Sequence, residues 1–179
     1  MIILESERLL FREHEPSDLD AYCAMEADPE VRRYVGGAPR MRSQAERKFR
    51  EAHLKHASAR LALRATIFKP EGRYIGYCGL YPNFRPGGAL PGEAVLAFYL
   101  AREYWGRGLA TEAGRAFVAY GFKELGLARI VASTQVGNAA SIRVLEKLGF
   151  VLRETEQGAR SFHKFELRNT ETAARPPLP

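Results

Sequence analysis

Apolar and polar positions change period several times along the chain, and each change predicts an element. Leu9–Glu13 reads as a first strand. Pro16-Ser17-Asp18 opens a short helix through LDAYCAME. Asp28-Pro29 opens another, with the aspartate as N-cap and the proline at the first helical position, where its missing N–H does no harm. The pair Gly36-Gly37 ends that helix. Ser43 and Glu46, three residues apart, have the spacing of a capping box and predict a helix to about His56. Leu61–Phe68 and Tyr74–Tyr81 predict two strands of a hairpin joined by a turn containing KPEG. The stretch PNFRPGGALPG, residues 82–92, holds three prolines and three glycines and predicts a long loop.

Ala94–Leu100 is the next predicted strand. Leu109, Ala113, Ala116, Phe117 and Tyr120 then recur at helical spacing, up to a stop near Gly126. Ile130–Thr134 predicts a strand, Asn138–Leu148 a helix stopped by Gly149, and Phe150–Arg153 and Phe162–Leu167 the last two strands. The tail NTETAARPPLP, residues 169–179, is polar and proline-rich and is expected to be disordered, which leaves one domain over 1–168. There is no internal repeat. Strands alternating with helices, plus hairpins, predict an α/β (α+β) domain.

Composition narrows the classes. Hydrophobic residues make up 46% and charged residues 27% of 179 residues, an ordinary globular balance for a chain long enough to bury a sizeable core. No apolar run approaches the ~20 residues that span a bilayer. The opening MIILESERLL lacks a basic leader and a small-residue cleavage site, so a cytoplasmic location is expected. The two cysteines, Cys23 and Cys78, form no CxxC and are expected to be buried free thiols. The net charge of +6 suits an anionic ligand. The basic residues are scattered, which argues against nucleic acid as the main partner.

The stretch REYWGRGLATEA places Gly106 and Gly108 where a strand hands over to a helix. Free N–H groups at a helix start make a ready anion site, and glycine leaves room for a diphosphate to approach. A tight turn without a ligand explains the same glycines, and spacing alone does not choose. The Walker pattern is absent, and the dinucleotide pattern lacks its third glycine, since Thr111 stands there.

YWGRGLATEA resembles the acetyl-CoA-binding motif of the GNAT superfamily of N-acetyltransferases, usually written [QR]xxGx[GA]. The opening ESERLLFREHEPSDLDAYCAMEADPEVRRYVGG, the stretch GRYIGYCGL and the stretch QVGNAASIRVLEKLGF are similar to successive segments of its RimJ/RimL-like, ribosomal-protein-alanine branch. The resemblance runs in the expected order over most of residues 5–168. It implies a GNAT-type domain with a mixed, mostly antiparallel central sheet of about six to seven strands, flanked by helices and splayed between AVLAFYL and IVAST. It also implies acetyl-CoA as cosubstrate, no metal, and direct acetyl transfer to a primary amine in a ternary complex. The implied donor-binding set is Phe98, Tyr99 and Leu100 on the strand, Gly106, Arg107, Gly108, Leu109, Ala110 and Thr111 at the turn, and Asn138 and Ser141 on the next helix. Trp105 departs from the family's Gln or Arg.

Acetyl transfer needs a neutral amine, a stabilised thioester oxygen and a proton for the departing thiolate. A backbone N–H near Phe98 or Tyr99 is the implied oxygen partner. Asn138 can serve the pantetheine arm, cap its helix, or both. The tyrosine that many superfamily members carry as the acid is Leu145 here, so Ser141 is the implied catalytic hydroxyl, against plain capping or packing. Many relatives carry a glutamate where Val95 stands. Glu93 is the candidate base, beside the alternatives of a surface carboxylate and of catalysis through water. His53 and His56, spaced HxxH, are expected on an exposed helix face rather than at a metal. His163 is expected to pair strands, and Arg143 and Lys147 either reach a CoA phosphate or are solvated.

The acceptor is expected among the first two helices, the 82–92 loop and the last strands, near Tyr22, Arg32, Arg33 and Tyr34. Branch resemblance suggests a protein or peptide N-terminal α-amine; small-molecule amines are the alternative. The expected partners are acetyl-CoA and this amine, with no membrane, no specific nucleic acid, and a monomer or homodimer. A non-catalytic acyl-CoA-binding module and a nucleotide- or RNA-binding protein are the rival classes.

Overall fold

The computed structural model describes residues 1–56, 58–86 and 88–170. Its strands are β1 (Ile2–Glu5), β2 (Leu9–Arg12), β3 (Leu63–Phe68), β4 (Arg73–Arg85), β5 (Gly88–Leu100), β6 (Arg129–Gln135), β7 (Val151–Glu156) and β8 (Phe162–Arg168). They form one sheet in the order β1-β2-β3-β4-β5-β6-β8-β7. Every neighbouring pair is antiparallel except β5 and β6. The helices are α1 (Leu19–Ala27), α2 (Pro29–Arg32), α3 (Arg42–Lys48), α4 (Leu109–Lys123) and α5 (Ala139–Lys147). This is the mixed α/β sheet expected, with eight strands instead of six to seven. The predicted tail lies, from residue 171 onward, outside the described residues.

The extra strand is β1, whose four residues are too short to show alternation and are held by pairing with β2. The predicted 82–92 loop is a correction: these residues continue β4 and β5 as a hairpin, with Pro82 opposite Ala94, Phe84 opposite Ala89 and Arg85 opposite Gly88. The hairpin projects past its neighbours. β3 stops pairing at Gly79, and β6 joins β5 only from Glu93. Both strands are therefore edges there, where a proline's missing N–H costs little.

Helix starts follow local chemistry with one shift. Asp28 Oδ1 accepts from the N–H of Glu30 at 2.7 Å and of Val31 at 3.4 Å, as its N-cap role predicts. The Ser43–Glu46 box is not formed. α3 starts two residues earlier, with Met41 as N-cap and Gln44 Oε1 accepting from the Met41 N–H at 3.1 Å. Glu46 pairs instead with Arg42 at 2.8 Å. After Lys48 the chain continues as a π-helix over Phe49–Leu54.

Two apolar cores form. One joins β2, β4, β5, β6 and β8 to α4 and α5 through Leu9, Phe11, Leu109, Phe117, Leu145 and Phe165. The other seats α1 and α3 on the sheet through Tyr22, Met25, Ala45, Phe49 and Tyr77. Cys78 lies in the first and Cys23 in the second, both free and buried.

His53 is a second correction. Only His56 is exposed; His53 turns into the second core. Its ring stands 4.5 Å from His14 and 4.8 Å from Tyr77, centroid to centroid. The apolar period of the helix, not the HxxH spacing, sets its direction. Burial holds both imidazoles down to a pKa of about 3, with Arg12 and Arg64 adding to this at His14, and His14 and Lys48 at His53. The unfolded chain therefore takes up two protons below pH ~6.5 that the native state refuses until about pH 3. Stability is present above pH ~6.5 and falls as pH drops, by roughly 1.4 kcal/mol per unit for each histidine. Urea midpoints between pH 7 and 4 check this: His53→Phe is expected to show a clearly shallower loss than the parent, and an identical slope would refute it.

Candidate active site

β5 leads into the glycine turn. A short 3-10 turn, Arg102–Tyr104, follows the strand, and Trp105 Nε1 donates back to the Leu100 carbonyl at 2.7 Å. Trp105, in the slot where a polar side chain was expected, thus pins the turn to the strand end. Gly106 and Gly108 have φ of +73° and +78°, conformations that residues with a Cβ rarely adopt. The turn alone therefore requires both glycines. Among the described residues the space above them is nonetheless open: a Cβ at Gly106 meets nothing within 4 Å, and one at Gly108 meets only Arg8 Nη2 at 3.7 Å.

Gly108 is the N-cap of α4, and no side chain caps that helix. The first helical bond is made by the Glu112 N–H to the Gly108 carbonyl at 3.0 Å. The N–H groups of Leu109, Ala110 and Thr111 precede it and are left for an outside acceptor. Arg107 lays its guanidinium over the rings of Phe68 at 4.7 Å and Tyr104 at 5.3 Å.

Arg8 is the cation that sequence reading missed. Its Nη1 donates to the Arg107 carbonyl at 3.2 Å, and its Nε to Glu112 Oε2 at 2.7 Å. Ser6 Oγ and the Arg8 N–H donate to Glu112 Oε1, each at 2.7 Å. Burial pushes the Glu112 carboxyl up, but the Arg8 N–H, the Ser6 hydroxyl and the Arg8 guanidinium together hold it below its ordinary range. The pair is about a hundred residues apart in the chain, so no local pattern announces it.

The parallel strands β5 and β6 pair only at Glu93–Arg129, Ala94–Ile130 and Val95–Val131. Beyond Val95, β5 stays with β4 as far as Leu100, and β6 stays with β8 as far as Gln135. The sheet opens into a wedge whose walls are unpaired strand edges, with N–H and C=O groups free for a ligand. The wedge holds a cavity of about 350 Å³, lined by Phe98 and Tyr99 on one side and by Asn138, Ser141 and Leu145 of the α5 end on the other. Asn138 Oδ1 caps α5 by accepting from the Ser141 N–H at 3.2 Å. Burial pushes the Tyr99 phenol up to about 12. Gln135 Nε2 donates to the Tyr34 carbonyl at 3.0 Å, tying the segment after α2 across the opening.

Other predicted site residues fall elsewhere. Glu93 sits where β5 and β6 are still joined, in an ion pair with Arg129 and accepting from Asn83 Nδ2 at 3.0 Å; it is not among the wedge-lining residues. Tyr22 is fully buried, and Arg33 pairs with Glu30 at 3.0 Å on the surface. Arg32 is buried against Glu26 at 3.2 Å. His163 bonds Thr155 across β7–β8 at 2.9 Å, the strand-pairing role expected. Arg143 and Lys147 are exposed. Among the described residues no group of three or more His, Cys, Asp or Glu stands close enough to hold a metal, and no helix is long and apolar enough to cross a membrane.

A mixed sheet, opened between its two parallel strands beside a helix start without a side-chain cap, is the architecture that the resemblance to the GNAT superfamily implies. Residues 8–151 match the family model of the acetyltransferase (GNAT) domain, and the chain belongs to this family. It is similar to the uncharacterized N-acetyltransferase p20 of Bacillus licheniformis, 33% identical over 165 residues that cover 88% of this chain and 89% of the relative. Among solved structures it resembles a GNAT-family acetyltransferase from Bacillus anthracis, with a TM-score of 0.81, 23% identity and coverage of 94% of this chain and 98% of the other. It also shares its fold with RimL, a ribosomal L7/L12 α-N-protein acetyltransferase in complex with coenzyme A, with a TM-score of 0.78, 14% identity and coverage of 94% and 98%. The protein is an acetyltransferase enzyme.

Proposed function

We propose that the chain transfers an acetyl group from acetyl-CoA directly to a primary amine, as a member of the RimJ/RimL-like branch. The observation that carries this reading is the opening of β5 from β6 next to the free N–H groups of the α4 start. The fit is physical. The open face over Gly106 and Gly108 admits a diphosphate, and a cavity of about 350 Å³ between the strands suits a slender arm. The N–H groups of the turn and of Leu109, Ala110 and Thr111 hold the diphosphate, aided by the helix dipole. Bound acetyl-CoA supplies an activated acetyl thioester.

The chain's own groups divide the remaining work. A free backbone N–H of β5 at Phe98 or Tyr99 donates to the oxygen on which negative charge grows. Asn138, with its Oδ1 engaged at the helix cap, keeps its amide N–H groups for the arm. Ser141 lines the wedge, and its hydroxyl delivers a proton to the leaving sulfur. Leu145, buried behind it, cannot. Glu93 is committed to Arg129 and Asn83, so the amine's proton leaves through water rather than through Glu93.

Thermal unfolding with saturating acetyl-CoA, against NAD, tests the donor. At about a hundred times its dissociation constant a ligand adds ~2.7 kcal/mol, a shift of several degrees for a chain of this size. A shift with NAD and none with acetyl-CoA would refute the assignment. Ser141→Ala is expected to lower kcat by about a hundredfold, with acetyl-CoA affinity within about threefold of the parent. Parent-like turnover across pH would remove Ser141 from the mechanism.

A further inference from the structure

A second, larger cavity of about 840 Å³ adjoins the wedge, between α3 with its π-helical continuation and the β4–β5 hairpin. Tyr81 lines both cavities, so its side chain marks where the larger one borders the wedge. Its charge is lopsided. Arg32, Arg40, Arg47 and Lys48 line it, and Glu51 is the one lining carboxylate among the described residues. Arg32 and Arg40 are answered from behind by Glu26, which is almost wholly buried and ion-paired to both. Arg47 and Lys48 have no ion pair among the described residues. Lys48 is half-buried. Burial pulls its ammonium pKa down, Glu26 works against this, and Arg40 and Arg32 add to it.

Lys48, part-buried without an ion pair, is stabilised by an anionic guest, and Arg47, exposed beside it, offers the same guest a second positive charge. A cationic guest such as a polyamine would meet like charges at short range. Resting on the acetyl-transfer reading, we propose that the acceptor is an anionic primary amine, whose carboxylate or phosphate group is held by Arg47 and Lys48 while its amine lies at the Tyr81 end, facing the wedge. A cavity of this volume exceeds a single amino acid and admits an acceptor the size of a short peptide or a drug-sized molecule.

The test compares four amines with the full chain saturated in acetyl-CoA: glutamyl-glutamate, phosphoethanolamine, glutaminyl-glutamine amide and spermidine. Glutamyl-glutamate or phosphoethanolamine is expected to exceed the neutral amide at least tenfold in kcat/KM, and the better of the two assigns carboxylate or phosphate. The ratio of anionic to neutral amine is expected to collapse about tenfold in Arg47→Gln and in Lys48→Gln and to survive in Arg47→Lys. Preference for the amide or spermidine overturns the proposal. So does a ratio that survives in both glutamine variants, including the case where only acetyl-CoA affinity falls. If no amine is turned over, the acetyl-transfer reading fails. The heats of binding of glutamyl-glutamate and its amide analogue to the CoA-saturated protein then decide the charge question separately. Tenfold tighter binding of the acid supports the proposal, and equal binding overturns it.

Discussion

Gly108→Trp is expected to weaken acetyl-CoA binding by more than a hundredfold while costing the fold only about 1–2 kcal/mol. The fold cost is conformational: φ at this position is +78°, and an L side chain there is strained. It is not steric, because the nearest heavy atom to a built Cβ is the end of the flexible Arg8 side chain at 3.7 Å. The indole instead occupies the open face onto which the N–H groups of the turn and the first turn of α4 are directed. Gly126→Trp is the matched control. Its φ is +65°, a Cβ there meets nothing within 4 Å, and it lies just past the far end of α4. Titration of both variants with acetyl-CoA separates the causes. Loss in Gly108→Trp alone supports the cradle. Loss in both points to the fold, and loss in neither removes the turn from the donor site.

Glu26→Leu is expected to destabilise the protein by about 3–5 kcal/mol, a fall in Tm of roughly 6–20 °C. Glu26 is 2% exposed, accepts from Arg32 Nη1 and from the Tyr77 hydroxyl at 3.2 Å each, and is ion-paired to Arg40. Removing it strands one fully buried guanidinium and one partly buried one. Breaking such a pair costs more than the pair contributes, because the partner's desolvation is no longer offset. Glu26→Leu combined with Arg32→Met is therefore expected to recover much of the loss. Urea unfolding of the two single variants and the double variant checks this. A cost under ~1 kcal/mol for Glu26→Leu would mean that the arginines rehydrate freely. Arg32 and Arg40 line the basic cavity, so this buried carboxylate also holds the cavity's wall in shape.

Much of the fold was legible because its causes are local. Asp28-Pro29 sets the start of α2, the helical spacing of Leu109, Ala113 and Phe117 sets the buried face of α4, and Asn138 caps α5. The order of GNAT-like segments pointed to the family that residues 8–151 match. Other features have distant causes. The 82–92 stretch has the composition of a loop, yet it forms a hairpin because both its strands lie beyond their neighbours' reach. HxxH suggested an exposed face, but His53 faces a core built by α1 and β4.

The sequence by itself determined most of the strands and helices, which positions are apolar, and that a glycine turn stands at the start of a helix. These depend on backbone propensities and on partners within a few residues. Only the tertiary structure decided that β5 leaves β6 after Val95, that Arg8 clamps Glu112 beside the turn, that Glu93 is spent on Arg129, and that four cations converge on one cavity. Those outcomes depend on charges and hydrogen-bonding groups brought together from positions tens of residues apart, and no local pattern encodes which of them will meet.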